Sequence, residues 1–459
     1  MSYYGKEGVI MSNNSNTENK GSKKGLSLMD LVAISAGQVI GAGVITLIGP
    51  AISETGLSAW LAYAAAIIMG FLSILPFILI SSTLVLKGGE YSIVLNMLGE
   101  KIAGIYSVAF ITQCLSLSLL GSSMGIYINS IFPNINAQLV GICAVSVFYI
   151  LNLSGTNVMS GVQNILTIIL ILSLLIFSFI GLTHVGPQAF DFTSPEFFTN
   201  GFGGFVSAIS LYAYSTYGQY MVINFSDKAA RPKKDIPLAI MISTLIILVL
   251  YTLIAIVDCG ILPFGEVVNK PLTVVARKIF NPLFFALFII GGPIMALATT
   301  MNSTFGSRAN PLYRATLDGW LPAFLGKKNS KDIPYIIYTA IFLVGLLPLI
   351  FNLNIKTITN NLVLVGNLLR MVTAVAVFKL PKLFEEQWKE SWLHVNTGVF
   401  NFLMVLAFAS NLYLVYLSLS NLPWYISAVN IVFLFICAAF ALMRHSKGKV
   451  HIISSVSLK

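Results

Sequence analysis

The chain has 459 residues, of which 56% are hydrophobic and only 10% charged, with a formal net charge of +10. Soluble domains carry about 25% charged residues, so the composition excludes an ordinary soluble protein and points to one polytopic membrane bundle. A basic balance by itself suggests nucleic acid as a partner, but the placement of the charges, taken up below, assigns them to membrane topology instead and leaves no nucleic-acid signal.

Residues 1–25 are polar and rich in Asn, Ser, Gly and Lys. They lack the apolar core of a signal peptide and read as a disordered cytosolic tail. A membrane span needs about 20 mostly apolar residues. Twelve stretches meet that need: 28–49, 58–86, 102–131, 137–154, 160–183, 203–225, 236–259, 281–307, 333–351, 358–379, 396–420 and 423–443. With both termini in the cytosol, all but five of the 27 Lys and Arg fall in the tails and inner loops. Lys270, Arg277, Lys278 and Lys356 fall in outer loops, and Arg370 lies inside span 10. This asymmetry is the positive-inside pattern of a cytoplasmic membrane protein. The inner loops include Lys87–Tyr91, Lys228–Pro237 and the long stretch 308–334, while 446–459 form a cytosolic C-tail. The four cysteines, Cys114, Cys143, Cys259 and Cys437, have no metal or redox spacing.

Span 1 holds Gly37, Gly41 and Gly43. Each glycine costs about 0.5–1 kcal/mol in a helix interior relative to alanine. Either a neighbouring helix packs closely there, or the helix breaks and offers its backbone to a ligand. Span 6 carries a polar and aromatic patch at mid-membrane, Tyr212-Ala213-Tyr214-Ser215-Thr216-Tyr217-Gly218-Gln219-Tyr220. Interruptions in corresponding places, five spans apart, point to an inverted-repeat transporter with its site between the breaks. The expected substrate site is then Ile40, Gly41, Ala42, Gly43 and Val44 with Tyr212, Tyr214, Ser215, Thr216, Tyr217 and Gly218. A half-helix starting near Gly43 presents N–H groups and a positive dipole end to a carboxylate. Carbonyls freed near Gly218 suit an ammonium group. The bland alternative is that the glycines are packing notches and the tyrosines are core.

At these residues the chain resembles the amino acid–polyamine–organocation (APC) transporters. Leu26-Ser27-Leu28-Met29-Asp30-Leu31-Val32 followed by Gly41-Ala42-Gly43-Val44 is similar to their first helix. Gly88-Gly89-Glu90-Tyr91 is similar to their GGxY turn, and Val162-Gln163-Asn164-Ile165-Leu166-Thr167 to their fifth helix. Pro232-Lys233-Lys234-Asp235-Ile236-Pro237, Met301 to Arg308 and Leu317-Asp318-Gly319-Trp320-Leu321-Pro322 follow in the family's order. The resemblance implies an all-α membrane protein of 12 transmembrane helices with a LeuT-type 5+5 inverted repeat and discontinuous helices 1 and 6. The repeats would be about 26–183 and 203–380 within a core of 26–380, with helices 11 and 12 in 381–445. It also implies transport of an amino acid or related amine by alternating access.

The departures bear on coupling. Leu170 stands where many members carry a lysine in the fifth helix, and Gln219 and Tyr220 stand near their sixth-helix glutamate. Both usual titratable groups are absent, which puts simple H+ coupling in doubt. Thr299, Thr300 and Ser303 in span 8 form a candidate Na+ site, against the simpler reading that their hydroxyls bond within the bundle. Arg370 and Asp30 are candidate gate residues, Arg370 also being a candidate substrate-carboxylate contact. Gln113 and Gln163 reach either the cavity or a neighbouring helix. Neutral spans argue against a substrate with two like charges. No catalytic or metal motif appears, and no cofactor is expected. The alternatives to net transport are an amino acid/amine exchanger and a non-transporting amino acid sensor.

Overall fold

Ser27 opens the bundle. Its hydroxyl accepts the Asp30 N–H, and the Asp30 carboxylate accepts the Ser27 N–H, a reciprocal cap that starts α1 (Leu28–Val39). The computed structural model describes residues 25–41, 43–132, 134–213, 215–353, 355–420, 422–453 and 456–457. The N-terminal tail up to residue 24, part of the C-tail, Ala42 and Tyr214 lie outside the described residues, as do the side chains of 355–361.

After α1 come α2 (Gly43–Thr46), α3 (Ile48–Thr55), α4 (Ala59–Thr83), α5 (Gly89–Leu98), α6 (Glu100–Ala109), α7 (Ser116–Ile131), α8 (Ala137–Leu153) and α9 (Thr156–Leu182). Then follow α10 (Gly201–Ala213), a tightly wound segment Gly218–Lys228, α11 (Pro232–Ile261) and the short α12 (Phe264–Val267) and α13 (Thr273–Ile279). α14 (Pro282–Ile289) and α15 (Met295–Leu317) are joined by a wide π turn, Ile290–Ile294, at Gly291-Gly292-Pro293. Proline has no N–H to close a normal turn, and the wider turn absorbs the gap. The chain ends with α16 (Tyr335–Ile350), α17 (Ile355–Val377), α18 (Leu380–Leu383), α19 (Glu385–Lys389), α20 (Thr397–Ser420) and α21 (Trp424–Ser446).

Among the described residues, 8 helical stretches are long and apolar enough to cross a membrane. Three shorter apolar helices, Ala137–Leu153, Tyr335–Ile350 and Leu362–Val377, accompany them. Span 6 of the sequence reading is in neither group, because α10 stops at Ala213 and the chain resumes at Gly218 with tighter turns. Both expected interruptions are therefore present.

α1 runs through the interior, packed against α9, α11, α15 and the Gly218–Lys228 segment. Gly37 makes this possible, since a Cβ there would stand 2.1 Å from the Gln163 amide nitrogen. Outward faces of α9, α20 and α21 are apolar and exposed, as at Ile165, Phe402 and Phe435. Where lipid replaces water the hydrophobic effect no longer drives helices together, so close packing and hydrogen bonds must. Buried amides supply them: Gln163 donates to the Ala33 carbonyl at 3.1 Å and Asn411 to the Ser73 carbonyl at 2.8 Å.

The basic loops gather at one end. There the Leu26 N–H donates to the Lys228 carbonyl, and the Trp392 indole to the Lys233 carbonyl. β1 (Val85–Leu86) pairs antiparallel with β2 (Val456–Ser457), so the C-tail folds back onto this basic end. Asp258, near the end of α11, is 1% exposed, and its Oδ2 has no partner among the described residues. The reading of one charge needs correction. Arg308, assigned to a solvated loop, lies inside α15 and is 4% exposed, because the helix continues through Pro311 to Leu317.

Candidate functional site

The α1 break leaves carbonyls that an intact helix would have capped. Thr300 of α15 donates to the Gly37 carbonyl at 2.7 Å, and Tyr251 of α11 donates to the Val39 carbonyl at 3.0 Å. The second break is tied to the first. Ser35 of α1 donates to the Gln219 carbonyl at 3.0 Å. A Cβ on Gly218 would meet the Gln38 carbonyl oxygen at 2.4 Å, and one on Gly43 would meet the Ser215 Cβ at 2.5 Å. The two interruptions therefore touch, backbone against backbone, through small residues.

Beside them lies a cavity of about 140 Å³. α1 contributes Gln38 and Val39, and the second break contributes Ser215, Tyr217, Gly218 and Tyr220. Gln113 and Ser116 come from the third span, Thr300, Thr304 and Arg308 from α15, and Gly366, Asn367 and Arg370 from α17. The walls therefore come from spans one, three, six, eight and ten.

The structure sorts the expected site residues. Ser215, Tyr217 and Gly218 line the cavity, and Gly41 and Gly43 sit at the break beside it. Ile40 and Val44 are fully buried in the core instead. Tyr212 does not face the cavity; it stacks on Tyr63 of α4 at 3.7 Å between ring centroids. Thr216 packs against Gly70 of α4. Gln113 reaches the cavity, whereas Gln163 bonds to α1 and accepts from Asn302 at 2.8 Å. Thr299 and Ser303 donate to carbonyls of their own helix at 2.9 Å and 2.8 Å and do not line the cavity. Asp30 lies at the basic end, remote from the cavity, where Asn164 donates to it at 2.6 Å. Leu170 is fully buried in the apolar core.

Arg370 is a cavity residue. Its guanidinium lies 3.5 Å from the centre of the Tyr217 ring, its Nε donates to Asn411 Oδ1 at 3.2 Å, and a terminal nitrogen donates to Asn367 Oδ1. The Tyr217 hydroxyl donates to the same Asn367 oxygen at 3.4 Å. Tyr217 and Asn367 also line a second, wider space of about 750 Å³, which runs past Glu54, Ser207 and Ser418 toward the end opposite the basic loops. This Tyr217–Asn367 layer is thus the partition between the two spaces. Toward the basic end, the Gln38 amide donates to Ser307 Oγ at 3.2 Å. Below it, Glu90 of α5, between the spans, accepts from the Tyr106 hydroxyl and the Asn224 amide, both at 2.9 Å. Burial pushes the Glu90 carboxyl above the usual carboxylate range, opposed by Asn224, Arg308, Tyr106 and Arg370.

Gln38, Thr304 and Arg308 were missed in the sequence. Each sits one or two helical turns from a residue that was noticed, Gln38 beside Gly41 and Thr304 beside Thr300. The i, i+4 step along α15 from Thr300 through Thr304 to Arg308 was the available signal. The expectation of uncharged spans also fails here, since two guanidiniums border the cavity.

A model of the amino acid permease family matches residues 26–437. An uncharacterized protein of Methanocaldococcus jannaschii is 26% identical over 72% of this chain and 77% of its own length. The branched-chain amino acid permease BcaP of Bacillus subtilis is 24% identical over 69% of this chain and 72% of its own. The vacuolar cationic amino acid transporter 4 of Arabidopsis thaliana is 26% identical over 67% of this chain and 55% of its own.

Proposed function

This chain belongs to the amino acid permease family, and we propose that it moves an amino acid across the cytoplasmic membrane by alternating access, with the substrate's main chain held at the two breaks. It is a multi-pass membrane transporter and not an enzyme. The observation that carries the reading is the edge-to-edge contact of the breaks at the cavity wall, Gly218 against the Gln38 carbonyl. N–H groups opening the half-helix at Gly43 take the carboxylate, and carbonyls around the second break take the ammonium. The relatives named for branched-chain and cationic amino acids support cargo of this class.

In this reading the architecture is the twelve-helix LeuT type, with the basic end in the cytosol. The Tyr217–Asn367 layer is the outer gate, and the α5, Gln38–Ser307 and Gly218–Lys228 layer is the inner one. The buried, apolar Leu170 speaks against H+ coupling through the fifth helix. A Na+ at Thr299, Thr300 and Ser303 is the coupling site this chain offers, with Thr300 already beside the Gly37 carbonyl.

The test is uptake by purified protein in proteoliposomes. A panel of labelled amino acids is offered with and without Na+ and pH gradients, to empty and to preloaded vesicles. Saturable uptake of one class of amino acid is expected. Uptake only into preloaded vesicles assigns exchange, and binding without uptake assigns a sensor. If no amino acid is bound or taken up, the proposal is overturned.

A further inference from the structure

The cavity's charge is uneven. Arg308 and Arg370 border it, 4% and 1% exposed. Arg370 is furnished with two asparagine oxygens and an aromatic face. Arg308 is not. Its Nε has no hydrogen-bond partner among the described residues, and its guanidinium is matched only with the Phe110 ring, 5.6 Å away. A guanidinium presents five donors in a rigid fork and stays charged. Burying it with those donors unspent is costly unless a partner arrives. The buried carboxylate within electrostatic reach of both arginines is Glu90. Its two oxygens are already taken by Tyr106 and Asn224, and no ion pair joins it to either arginine among the described residues. Two positive charges therefore border a small space whose lining holds no carboxylate among the described residues, with Arg308's donors left over.

We propose that Arg308 and Arg370 form an anion subsite in this cavity and that the preferred substrate is an amino acid with an acidic side chain. This rests on the reading that the main chain binds at the breaks. With the main chain there, a short side chain directed toward the basic end meets α15 and α17, where a carboxylate can take paired N–H bonds from Arg308. A lysine-like side chain would meet two like charges, and a leucine-like one would leave the guanidinium dry and unpaired.

Uptake and binding of L-glutamate, L-aspartate, L-glutamine, L-asparagine, L-leucine and L-lysine by the full chain in proteoliposomes decide it. The expected result is glutamate or aspartate favoured about tenfold or more over its amide, the scale of one charged hydrogen bond. Arg308→Gln is expected to bring that ratio close to one, and Arg308→Lys to restore part of it. Thermal unfolding and monodisperse elution verify folding, and Arg308→Lys carries the test if the glutamine variant fails to fold. Uptake of neutral or cationic amino acids that glutamate and aspartate do not compete with overturns the subsite and leaves the transport reading standing. An acid preference unchanged in Arg308→Gln overturns the assignment to Arg308. Replacing chloride with gluconate is expected to change nothing. Chloride-dependent uptake of a neutral amino acid would make the anion an inorganic co-ion and overturn the substrate assignment. If no amino acid binds or is carried, both readings fall.

Discussion

Gly41 and Gly218 both lie at the breaks, yet the space around them differs. A Cβ on Gly218 would stand 2.4 Å from the Gln38 carbonyl oxygen, which is backbone and cannot rotate away. Among the described residues, a Cβ on Gly41 meets only the Thr300 hydroxyl, at 3.6 Å, an ordinary contact. Gly218→Ala is therefore expected to push the breaks apart and lower uptake by about tenfold or more, equivalent to about 1.4 kcal/mol. Gly41→Ala should leave uptake within about threefold, or about 0.7 kcal/mol. Initial rates in proteoliposomes, normalised to inserted protein, measure both. Equal effects of the two substitutions would mean that glycine density, and not contact between the breaks, sets the requirement. The residue scale is also where sequence reading reached its limit. Glycines that disfavour a helix are a local signal, and the α1 break was legible from them. Tyr212 is the opposite case. It read as a substrate-site residue, but Tyr63 from α4 stacks on it, with Tyr251 from α11 against Tyr63 in turn, and partners that far along the chain leave no local trace.

Among the elements, α15 explains why Arg308 escaped notice. Its last turns carry Arg308, Asn310, Pro311 and Arg314, a composition that reads as the start of a solvated loop. The helix persists because its polar side chains find interior partners. Asn310 donates to the Asn224 carbonyl at 2.7 Å, and Arg314 pairs with Asp318 at 3.2 Å. Asp318 then organises the returning C-tail. Its Oδ1 accepts the Ile453 N–H at 3.1 Å, its carbonyl accepts the His451 N–H at 3.0 Å, and Tyr91 donates to its Oδ2 at 2.8 Å. The tail is therefore held by the Asp318 carboxylate and carbonyl and by Arg314, which also donates to the Ile453 carbonyl, with the short β1–β2 ladder beyond them. Asp318→Ala removes the acceptor for Ile453 and strands the Arg314 charge, a change worth about 3–5 kcal/mol for a buried pair. The tail should detach before the bundle unfolds. Trypsin cleavage after Lys449 in detergent-solubilised protein is expected to accelerate in Asp318→Ala, while thermal unfolding of the core shifts less. Unchanged cleavage would show that the backbone bond to His451, Arg314 and the ladder hold the tail without the carboxylate.

For the whole molecule, the breaks bear on where the site lies and the charges on orientation. In the proposed inverted repeat, paired breaks would locate a site at mid-depth but are symmetric in principle about the membrane plane. The Lys and Arg distribution is not symmetric, and it alone distinguishes the two faces. Lys87, Arg231, Lys331, Lys382 and Lys447 lie at the end where the C-tail folds back, whereas Lys270, just before α13, and Arg277 and Lys278, in its last turn, lie at the other end. Moving that cluster of cations to the outer face would oppose the insertion bias, so the basic end should face the cytosol. Lys447 and Lys278 are both exposed and sit at opposite ends, which makes them a matched pair of reporters. In intact cells, a membrane-impermeant maleimide is expected to label Lys278→Cys and leave Lys447→Cys unlabelled until the membrane is opened. Cys114, Cys259 and Cys437 are buried, so the native background should come from Cys143 and is measured on the unsubstituted chain. The reverse pattern would place the wide space beyond Tyr217 and Asn367 on the cytosolic side and exchange the proposed inner and outer gates, while leaving the contact between the two breaks as it stands.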